Sequence, residues 1–290
     1  MNLLQLGLPA GSLETSTIEL FRKAGWRITT SSRSYFPSID DEAIRCMLVR
    51  AQEISRYVES GSLDAGITGM DWTAENESDV AVIADLVYSK TSLQATRWVL
   101  AVRSDSPIQR LEDLRGKTIA TELVEFTRKH LAAHAIEAKV EFSWGATEVK
   151  AAEGLVDAIV EVTETGSSLR ANGLRIVETL QTSNPQLIAN KAAYVEPWKR
   201  KKIDQIAMLL KGALEAGTRV GIKMNVPSER LEHIIAMLPS ITAPTVANLY
   251  GKDWLAIEIV VAEREVRDLI PLLIEHGAVG IIEYPLNKIV

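Results

Sequence analysis

Apolar runs of strand length alternate with helix-period patterns from the first residues onward. Leu3–Leu8 predicts a strand, Pro9-Ala10-Gly11-Ser12 a turn, and Leu13–Ala24 a helix with Leu13, Ile18, Leu20 and Phe21 on its apolar side. Ala43–Glu59 reads as a second helix and Ala65–Thr68 as a short strand. This alternation predicts an α/β fold with a mainly parallel sheet. A five-residue pattern then repeats, Gly61-Ser62-Leu63-Asp64-Ala65 returning as Gly154-Leu155-Val156-Asp157-Ala158. Each copy follows a helical pattern and leads through a strand into a glycine loop, Thr68-Gly69 and Thr165-Gly166. Two similar lobes are expected. Trp98–Val102 is the candidate strand crossing between them, and Leu187–Ala189 with the helix Pro197–Leu214 the return.

The last part of the chain has another rhythm. Arg219–Val226 reads as a strand and Ser228–Leu238 as a helix with Ser228 as its N-cap. Strands at Ala243–Tyr250 and Leu255–Ala262 follow, then a helix Glu263–His276 closed by Gly277, and a strand Gly280–Tyr284. That βαββαβ order is the ferredoxin-like unit. Pro271 inside the second helix predicts a kink or a late start. The expected division is residues 1–98 with 181–214 as one lobe, 99–180 as the other, and 215–290 as a separate domain.

With 290 residues, 47% of them apolar and 24% charged, the chain suits a soluble globular protein of two or three domains. A net charge of −6 argues against a nucleic-acid surface, and Lys199-Arg200-Lys201-Lys202 reads as a solvated helix face. An acidic protein that binds polyphosphate must concentrate positive potential in backbone amides, a few arginines or a divalent metal. The single cysteine, Cys46, excludes an intrachain disulfide and fits a reducing cytoplasm. Neither a signal peptide nor a run of 18 apolar residues is legible, so a cytoplasmic location is expected.

The richest chemistry lies between Val156 and Asn172. Val156–Val162 reads as a buried strand carrying Asp157 and Glu161, and Thr163-Glu164-Thr165-Gly166-Ser167-Ser168 follows. Leu169-Arg170-Ala171-Asn172 then looks like the first turn of a helix. Strand, hydroxyl-rich glycine turn and helix start together make a phosphate cradle of backbone N–H groups. Glu161 and Glu164 stand where they could meet ribose hydroxyls or a magnesium-bound sugar phosphate. An ordinary N-capped polar turn is the plainer account of the same six residues. The turn Pro9-Ala10-Gly11-Ser12 is a second candidate anion site, with a plain βα turn of equal weight. His130 and His134 have zinc-binding spacing but no third ligand, and read as a wet helix face. Of six tryptophans, Trp72 is the candidate to stack on adenine. No Ser-His-Asp or Cys-His arrangement is legible.

Several of these segments share a resemblance. Glu148, Gly154, Asp157-Ala158-Ile159, the acid Glu161 and Thr165-Gly166-Ser167-Ser168-Leu169 resemble the phosphoribosyl-pyrophosphate loop of the ATP phosphoribosyltransferases. That family usually has a smaller residue at Val156 and Asp at Glu161. Val49-Arg50-Ala51-Gln52-Glu53-Ile54 is similar to its Arg-bearing helix, and Gly66-Ile67-Thr68-Gly69-Met70-Asp71 and Ala95-Thr96-Arg97 match as well. Pro9-Ala10-Gly11-Ser12-Leu13 departs from it, with Ala10 at the position of a family lysine. Leu111–Ala120 resembles the start of lobe two in the bilobal periplasmic-binding-protein fold (type II). Val226–Leu231, Ala243-Pro244-Thr245-Val246 and His276-Gly277-Ala278 resemble the regulatory domain of the family's long form.

The resemblance implies an enzyme that joins the phosphoribosyl group of phosphoribosyl pyrophosphate to N1 of the adenine of ATP, releasing pyrophosphate, as the first step of histidine biosynthesis. It places phosphoribosyl pyrophosphate at Glu161, Thr163, Thr165, Gly166, Ser167, Ser168 and Leu169. ATP falls to Gly11, Ser12, Arg50, Asp71 and Arg97, and inhibitory histidine to Thr245 and Ala278. It further implies Mg²⁺, with no ligands assigned, and a homo-oligomer, dimer or hexamer. Two alternatives stand beside it. One is a non-catalytic bilobal small-molecule binding module with a ligand-sensing tail; the other is an ordinary purine or pyrimidine phosphoribosyltransferase, which the two-lobe pattern disfavours.

Overall fold

The first apolar run forms β1 (Leu4–Ala10), buried over most of its length, and a reversal at Gly11 leads into α1 (Glu14–Ala24). A hairpin of β2 (Ile28–Ser31) and β3 (Ser34–Ile39) comes before β4 (Ile44–Arg50), α2 (Ala51–Glu59), β5 (Ala65–Gly69), α3 (Met70–Glu75) and β6 (Ala81–Asp85). β7 (Thr96–Arg103) opens a second sheet. It continues with β8 (Thr118–Thr121), α4 (Val124–Ala133), β9 (Lys139–Phe142), α5 (Thr147–Ala152), β10 (Ala158–Thr163), α6 (Ser167–Ala171) and β11 (Leu174–Ser183). β12 (Pro185–Ala189) rejoins the first sheet, and α7 (Lys191–Val195) and α8 (Pro197–Ala216) follow. This computed structural model describes residues 2–31, 33–89, 92–239 and 243–290. The chain separates into two units, Met1–Ala207 and Met208–Val290.

The two sheets of the first unit share one topology. Sheet one runs β4-β1-β5-β12-β6, and sheet two, read from its other edge, β9-β8-β10-β7-β11. In each, the lobe's second, first and third strands lie parallel, and a strand arriving from the other lobe lies antiparallel beside the third. Two sheets of one order, joined by a crossing and a returning strand, make the bilobal periplasmic-binding-protein-like (type II) architecture.

The repeated pentapeptide occupies equivalent places, ahead of β5 and β10. Asp64 Oδ2 accepts the Gln5 N–H at 2.8 Å while the Asp64 N–H donates to the Gln5 carbonyl at 3.0 Å. Asp157 does the same with Thr118, at 2.9 Å and 3.0 Å. Each aspartate also pairs with a lysine, Lys199 at 2.9 Å and Lys117 at 3.4 Å. The repeat therefore fixes how the third strand of each lobe enters against the first.

One expected helix proves to be two elements. Burial alternates from Ile44 through Cys46 and Leu48, and β1 pairs with this run from Leu4–Ile44 to Ala10–Arg50. An apolar run directly ahead of the true helix α2 hid its two-residue period. Tertiary pairing decides the state of such a run.

The core of lobe two divides between the faces of its sheet. Trp98, Leu100 and Val102 pack with Ile119, Leu123 and Leu131 on one side, and Val99 and Ala101 with Ile159 and Leu169 on the other. Each fully buried aliphatic side chain of this size stabilises by about 1.5–3 kcal/mol. The lobes are tied across the cleft as well. The Glu75 carboxylate of lobe one accepts the N–H groups of Glu125 and Phe126, at 3.1 and 2.9 Å, at the start of α4. That helix has no side-chain cap of its own. Lys129 and Glu77 add an ion pair at 2.6 Å.

The second unit contains β13 (Arg219–Pro227), α9 (Leu231–Met237), β14 (Thr245–Asn248), β15 (Trp254–Ala262), α10 (Glu263–Glu275) and β16 (Val279–Pro285). Its antiparallel order, β14-β15-β13-β16, is the expected ferredoxin-like βαββαβ arrangement. Met224, Ile257, Ile259, Leu269 and Leu273 form its core. Two details differ from expectation: Ser228 opens a single 3₁₀ turn (Ser228–Arg230) and caps no helix, and β14 is four residues long. The helix α10 begins at Glu263 as expected and runs through Pro271, with no late start. Pro271 leaves the Arg267 carbonyl without its helical donor, a loss confined to one bond.

Candidate active site

The carboxyl ends of the parallel strands of the two lobes border a cleft of about 390 Å³. Lobe one supplies Ser12, Gln52, Asp71 and Trp72 to its wall, and lobe two supplies Glu122, Val162, Thr163 and Glu164. A second recess of about 340 Å³ shares Gln52, Trp72 and Glu122 with it and adds Arg50, Arg56, Phe142 and Trp144. Ligands of open α/β sheets bind at such strand ends.

On β10 the register sets Glu161 opposite Val99 and Thr163 opposite Arg97. Burial pushes the Glu161 carboxyl up to about 7, helped by the nearby Glu148 and Glu122 carboxylates and opposed by the Val162 N–H and the Thr147 hydroxyl. The Val162 N–H reaches Glu161 Oε1 at 3.1 Å. A carboxyl held near neutrality at a strand end is a mark of functional sites.

The loop after β10 is organised by its own hydroxyls. Thr163 Oγ1 accepts the Gly166 N–H at 2.7 Å, Thr165 donates to Ser167 at 3.0 Å, and Ser168 donates to Glu148 at 2.8 Å. Arg170 Nη1 donates to the Thr165 carbonyl at 3.1 Å. Gly166 has φ +75°, and a Cβ there would come within 3.0 Å of Arg170 Nη1 and 3.1 Å of Ile176 Cδ1. Only glycine holds this turn without strain. The following α6 has five residues, so its axial dipole is small and attraction for an anion falls to local N–H and O–H groups. Leu169 is 1% exposed, its side chain spent on the core. Its backbone is the part left for a ligand.

On the other wall, Gly11 and Ser12 form the first βα turn, and Ser12 lines the larger cleft. Arg50 ends β4 and does not lie on a helix. Its Nη1 stands 3.6 Å from the position of a Gly11 Cβ, so turn and guanidinium share a corner. Asp71 is 6% exposed, with Oδ2 accepting the Trp98 indole N–H at 2.6 Å and Oδ1 the Trp72 N–H at 2.9 Å. Burial raises its carboxyl pKa against the hydrogen bonds that lower it. With both oxygens engaged, Asp71 shapes the wall and ties lobe one to the crossing strand. Trp72 meets Trp98 edge-on, ring centroids 6.2 Å apart.

Two groups of expected residues lie apart from the cleft walls or from each other. Arg97 lies beside Thr163 and points a donor at Thr179 Oγ1, 3.4 Å away, and it lines neither cleft. That puts it with the lobe-two loop and away from the ATP wall. Thr245 begins β14 at one edge of the tail sheet, whereas the buried Ala278 immediately precedes β16 at the opposite edge. Three strand spacings, roughly 14 Å, separate those edges, so one small ligand cannot touch both residues of one copy.

Sequence reasoning passed over Glu122, Gln52, Trp144 and Arg170. The first two become visible only once strand order brings the ends of β8 and the start of α2 together. Among the described residues no three His, Cys, Asp or Glu side chains converge on a metal position, and the rings of His130 and His134 stack 4.7 Å apart. The cleft does carry carboxylates, Glu164 among them. It suits an ion held by one or two protein oxygens with the remainder from phosphate and water, the manner of Mg²⁺.

The family model for ATP phosphoribosyltransferase matches residues 50–212, and that for the HisG C-terminal domain matches 216–288. The chain belongs to the ATP phosphoribosyltransferase family. The ATP phosphoribosyltransferase of Solidesulfovibrio magneticus is 61% identical over 289 residues, spanning 100% of this chain and 99% of its own length. ATP phosphoribosyltransferase 1 of Geobacter sulfurreducens is 58% identical over 288 residues, spanning 99% of each. Among solved structures, the ATP phosphoribosyl transferase (HisG:HisZ) complex from Thermotoga maritima aligns with a TM-score of 0.63 at 25% identity, over 73% of this chain and 99% of that one. Presence of the C-terminal domain makes this a long-form member of the family, a transferase with its tail unit attached.

Proposed function

We propose that this transferase moves the phosphoribosyl group of phosphoribosyl pyrophosphate to N1 of the adenine of ATP. The products are phosphoribosyl-ATP and pyrophosphate, and the reaction opens histidine biosynthesis. The observation carrying this reading is the lobe-two loop, four hydroxyls from Thr163 to Ser168 and a left-handed glycine at the end of the strand that carries the half-buried Glu161. The 5′-phosphate is assigned to the N–H and O–H groups of Thr165–Leu169, and the ribose hydroxyls to Glu161 and Thr163. Gly11, Ser12 and Arg50 are assigned to ATP across the cleft, with Asp71 fixing the wall behind it and Arg97 supporting the phosphoribosyl side.

Such a displacement passes through an oxocarbenium-like state and calls for positioning and charge stabilisation, with no covalent intermediate. Glu161 accepts hydrogen bonds from ribose hydroxyls that grow more acidic as positive charge develops. Closure of the lobes removes water from the reacting atoms. Mg²⁺, with Glu164 as a protein ligand, would neutralise pyrophosphate charge. The decisive experiment is pyrophosphate release with ATP and phosphoribosyl pyrophosphate present together and each omitted in turn. Release with both and with neither alone is the expected result, and release from either alone would defeat the reading.

The ferredoxin-like tail is proposed to bind histidine as end-product inhibitor. Because Thr245 and Ala278 sit on opposite sheet edges, one histidine reaching both needs edges from two copies, which favours a homo-oligomer. Inhibition requires histidine to prefer one assembly over another. Calorimetry of histidine on the intact protein tests this. Absence of binding, or binding that survives in a fully folded Thr245→Ala, Ala278→Glu double variant, would remove the tail's role.

A further inference from the structure

The larger cleft and the aromatic recess meet at three residues only, Gln52 and Trp72 of lobe one and Glu122 of lobe two. The cleft side bears the phosphoribosyl loop through Thr163 and Glu164. The recess offers aromatic surface, Phe142 and Trp144 meeting edge-to-face with rings 6.4 Å apart and Trp144 66% exposed, and Arg50 and Arg56 line it as well. A ring that stacks and a sugar phosphate that is cradled would thus have their reacting atoms joined at this boundary. Glu122 is the one carboxylate of the three.

We infer that Glu122 is a catalytic residue, whose carboxylate accepts a hydrogen bond from the 6-amino group of the adenine as its N1 is alkylated; this rests on the transfer reaction proposed above. The step balances without a proton transfer. The N1 lone pair forms the bond to the anomeric carbon, and the carbon–oxygen bond to pyrophosphate breaks with its electron pair leaving on oxygen. N1 thereby gains a positive charge that resonance shares with the 6-amino nitrogen as an amidinium. A carboxylate facing those N–H groups meets a charge absent from the ground state, the condition for lowering a barrier and not merely tightening binding. A carboxylate that accepts from the 6-amino group also selects it over a 6-carbonyl, which would present an acceptor to an acceptor.

The surroundings of Glu122 favour this use. It is half-buried, and burial together with the Asp71 carboxylate raises its pKa, while the Gln52 side chain and the Gly145 N–H favour the charged form. Glu161 on the neighbouring strand faces it too, and its own carboxyl is raised partly by Glu122. Arg50, Arg56, Glu53 and Glu75 are the remaining charges on the recess. A carboxylate short of a full counter-charge gains most when a cation forms beside it.

The test uses the whole protein and the Glu122→Gln variant, which keeps size and shape. Two readouts are taken. The first is kcat, expected to fall about a hundredfold while KM for ATP and for phosphoribosyl pyrophosphate each change less than about threefold, the range for removing one charge-stabilising group. The second needs no turnover: binding of N1-methyl-ATP, a cation shaped like the alkylated base. The wild-type protein should hold it at least tenfold more tightly than ATP, and Glu122→Gln should erase that preference. A kcat within threefold of wild type, a loss residing only in KM, or a preference for the methylated nucleotide that the variant retains would each overturn the proposal. Failure of the wild-type protein to release pyrophosphate from the two substrates would instead defeat the transfer reading itself.

Discussion

The two lobes carry equivalent third strands and end them in opposite ways. Counted from the repeated glycines, Thr68 of β5 and Glu161 of β10 are equivalent. Thr68 is fully buried and gives its hydroxyl to the Ala51 carbonyl at 2.6 Å, the first residue of α2. Glu161 faces Thr147, the first residue of α5, with a carboxyl near neutrality. Beyond that point lobe one closes at once, with Gly69 leading directly into α3 and Asp71 turned inward to Trp98. Lobe two inserts Thr163–Gly166 before its helix begins, and Thr163 and Glu164 of that insertion line the cleft. One template therefore yields a wall and a cradle. The residue at the strand end and a few inserted polar residues decide which.

Substituting the two loop glycines tests that contrast most sharply. Gly166→Val forces a branched residue into φ +75° and against Arg170, and kcat/KM for phosphoribosyl pyrophosphate should fall by about 2–4 kcal/mol of transition-state binding. Gly69→Ala should act on stability, since a Cβ there would lie 2.0 Å from Asp71 Oδ1. Thermal unfolding beside steady-state kinetics separates the two outcomes. Equal effects on activity and melting at both sites would erase the distinction between wall and cradle.

Next in size is Glu161→Gln, for which kcat should drop by about 10- to 100-fold with a smaller change in KM. Thr68→Val at the equivalent position should leave kcat within about twofold while losing roughly 1 kcal/mol of stability through the Ala51 carbonyl. Pre-steady-state measurement of the chemical step checks that the kcat effect lies in bond-making.

Glu161 also gives a pH signature. Its folded value of about 7 exceeds the ordinary 4.5, so between those pH values the folded chain keeps a proton that the unfolded chain has released. Stability contributed at this site is intact below about pH 4.5 and lost as pH rises through about 7. Glu161→Gln should accordingly melt higher than wild type at pH 8, by about 1–2 kcal/mol after allowance for partial exposure, and the gap should close by pH 4.5. Calorimetric melts at both pH values measure the sign. A variant less stable at pH 8 would place the carboxyl outside the cluster.

The smallest effect expected is at the repeated aspartates. Asp64→Asn and Asp157→Asn should each cost about 1 kcal/mol, from a weakened bond to a backbone N–H. The Asp64 change should cost slightly more, since its Lys199 partner is less exposed than Lys117. Chemical denaturation of the two variants reads this directly.

Much of this architecture was legible before any coordinates. The βα alternation, the crossing and return strands and the βαββαβ tail follow from periodicity and punctuation. Strand β4 did not, because Met47 and Val49 on its outer face are apolar too and it abuts a helix; its partner β1 lies far back in the chain. The hydroxyl-rich loop proposed to take phosphate was legible because its chemistry is contiguous, Thr163 to Ser168 in one run. Glu122, Gln52 and Trp144 are contributed by three separate elements and converge only when two lobes close, so no local pattern marks them. The neighbours of Arg97, Thr245 and Ala278 were not legible for a related reason: sheet order, which a linear motif does not contain, fixes what lies beside what.

Glu75 holds the start of a helix belonging to the other lobe, and the bonds it makes are ones that water can replace. Each backbone N–H loses a carboxylate and gains a solvent molecule when the cleft opens, a net exchange of roughly 0.5–1.5 kcal/mol. A lock of that size resists thermal agitation only briefly and gives way on the microsecond-to-millisecond scale of domain motion. Any separation of the lobes has to break both bonds together, so Glu75 sets a small and reversible cost on opening.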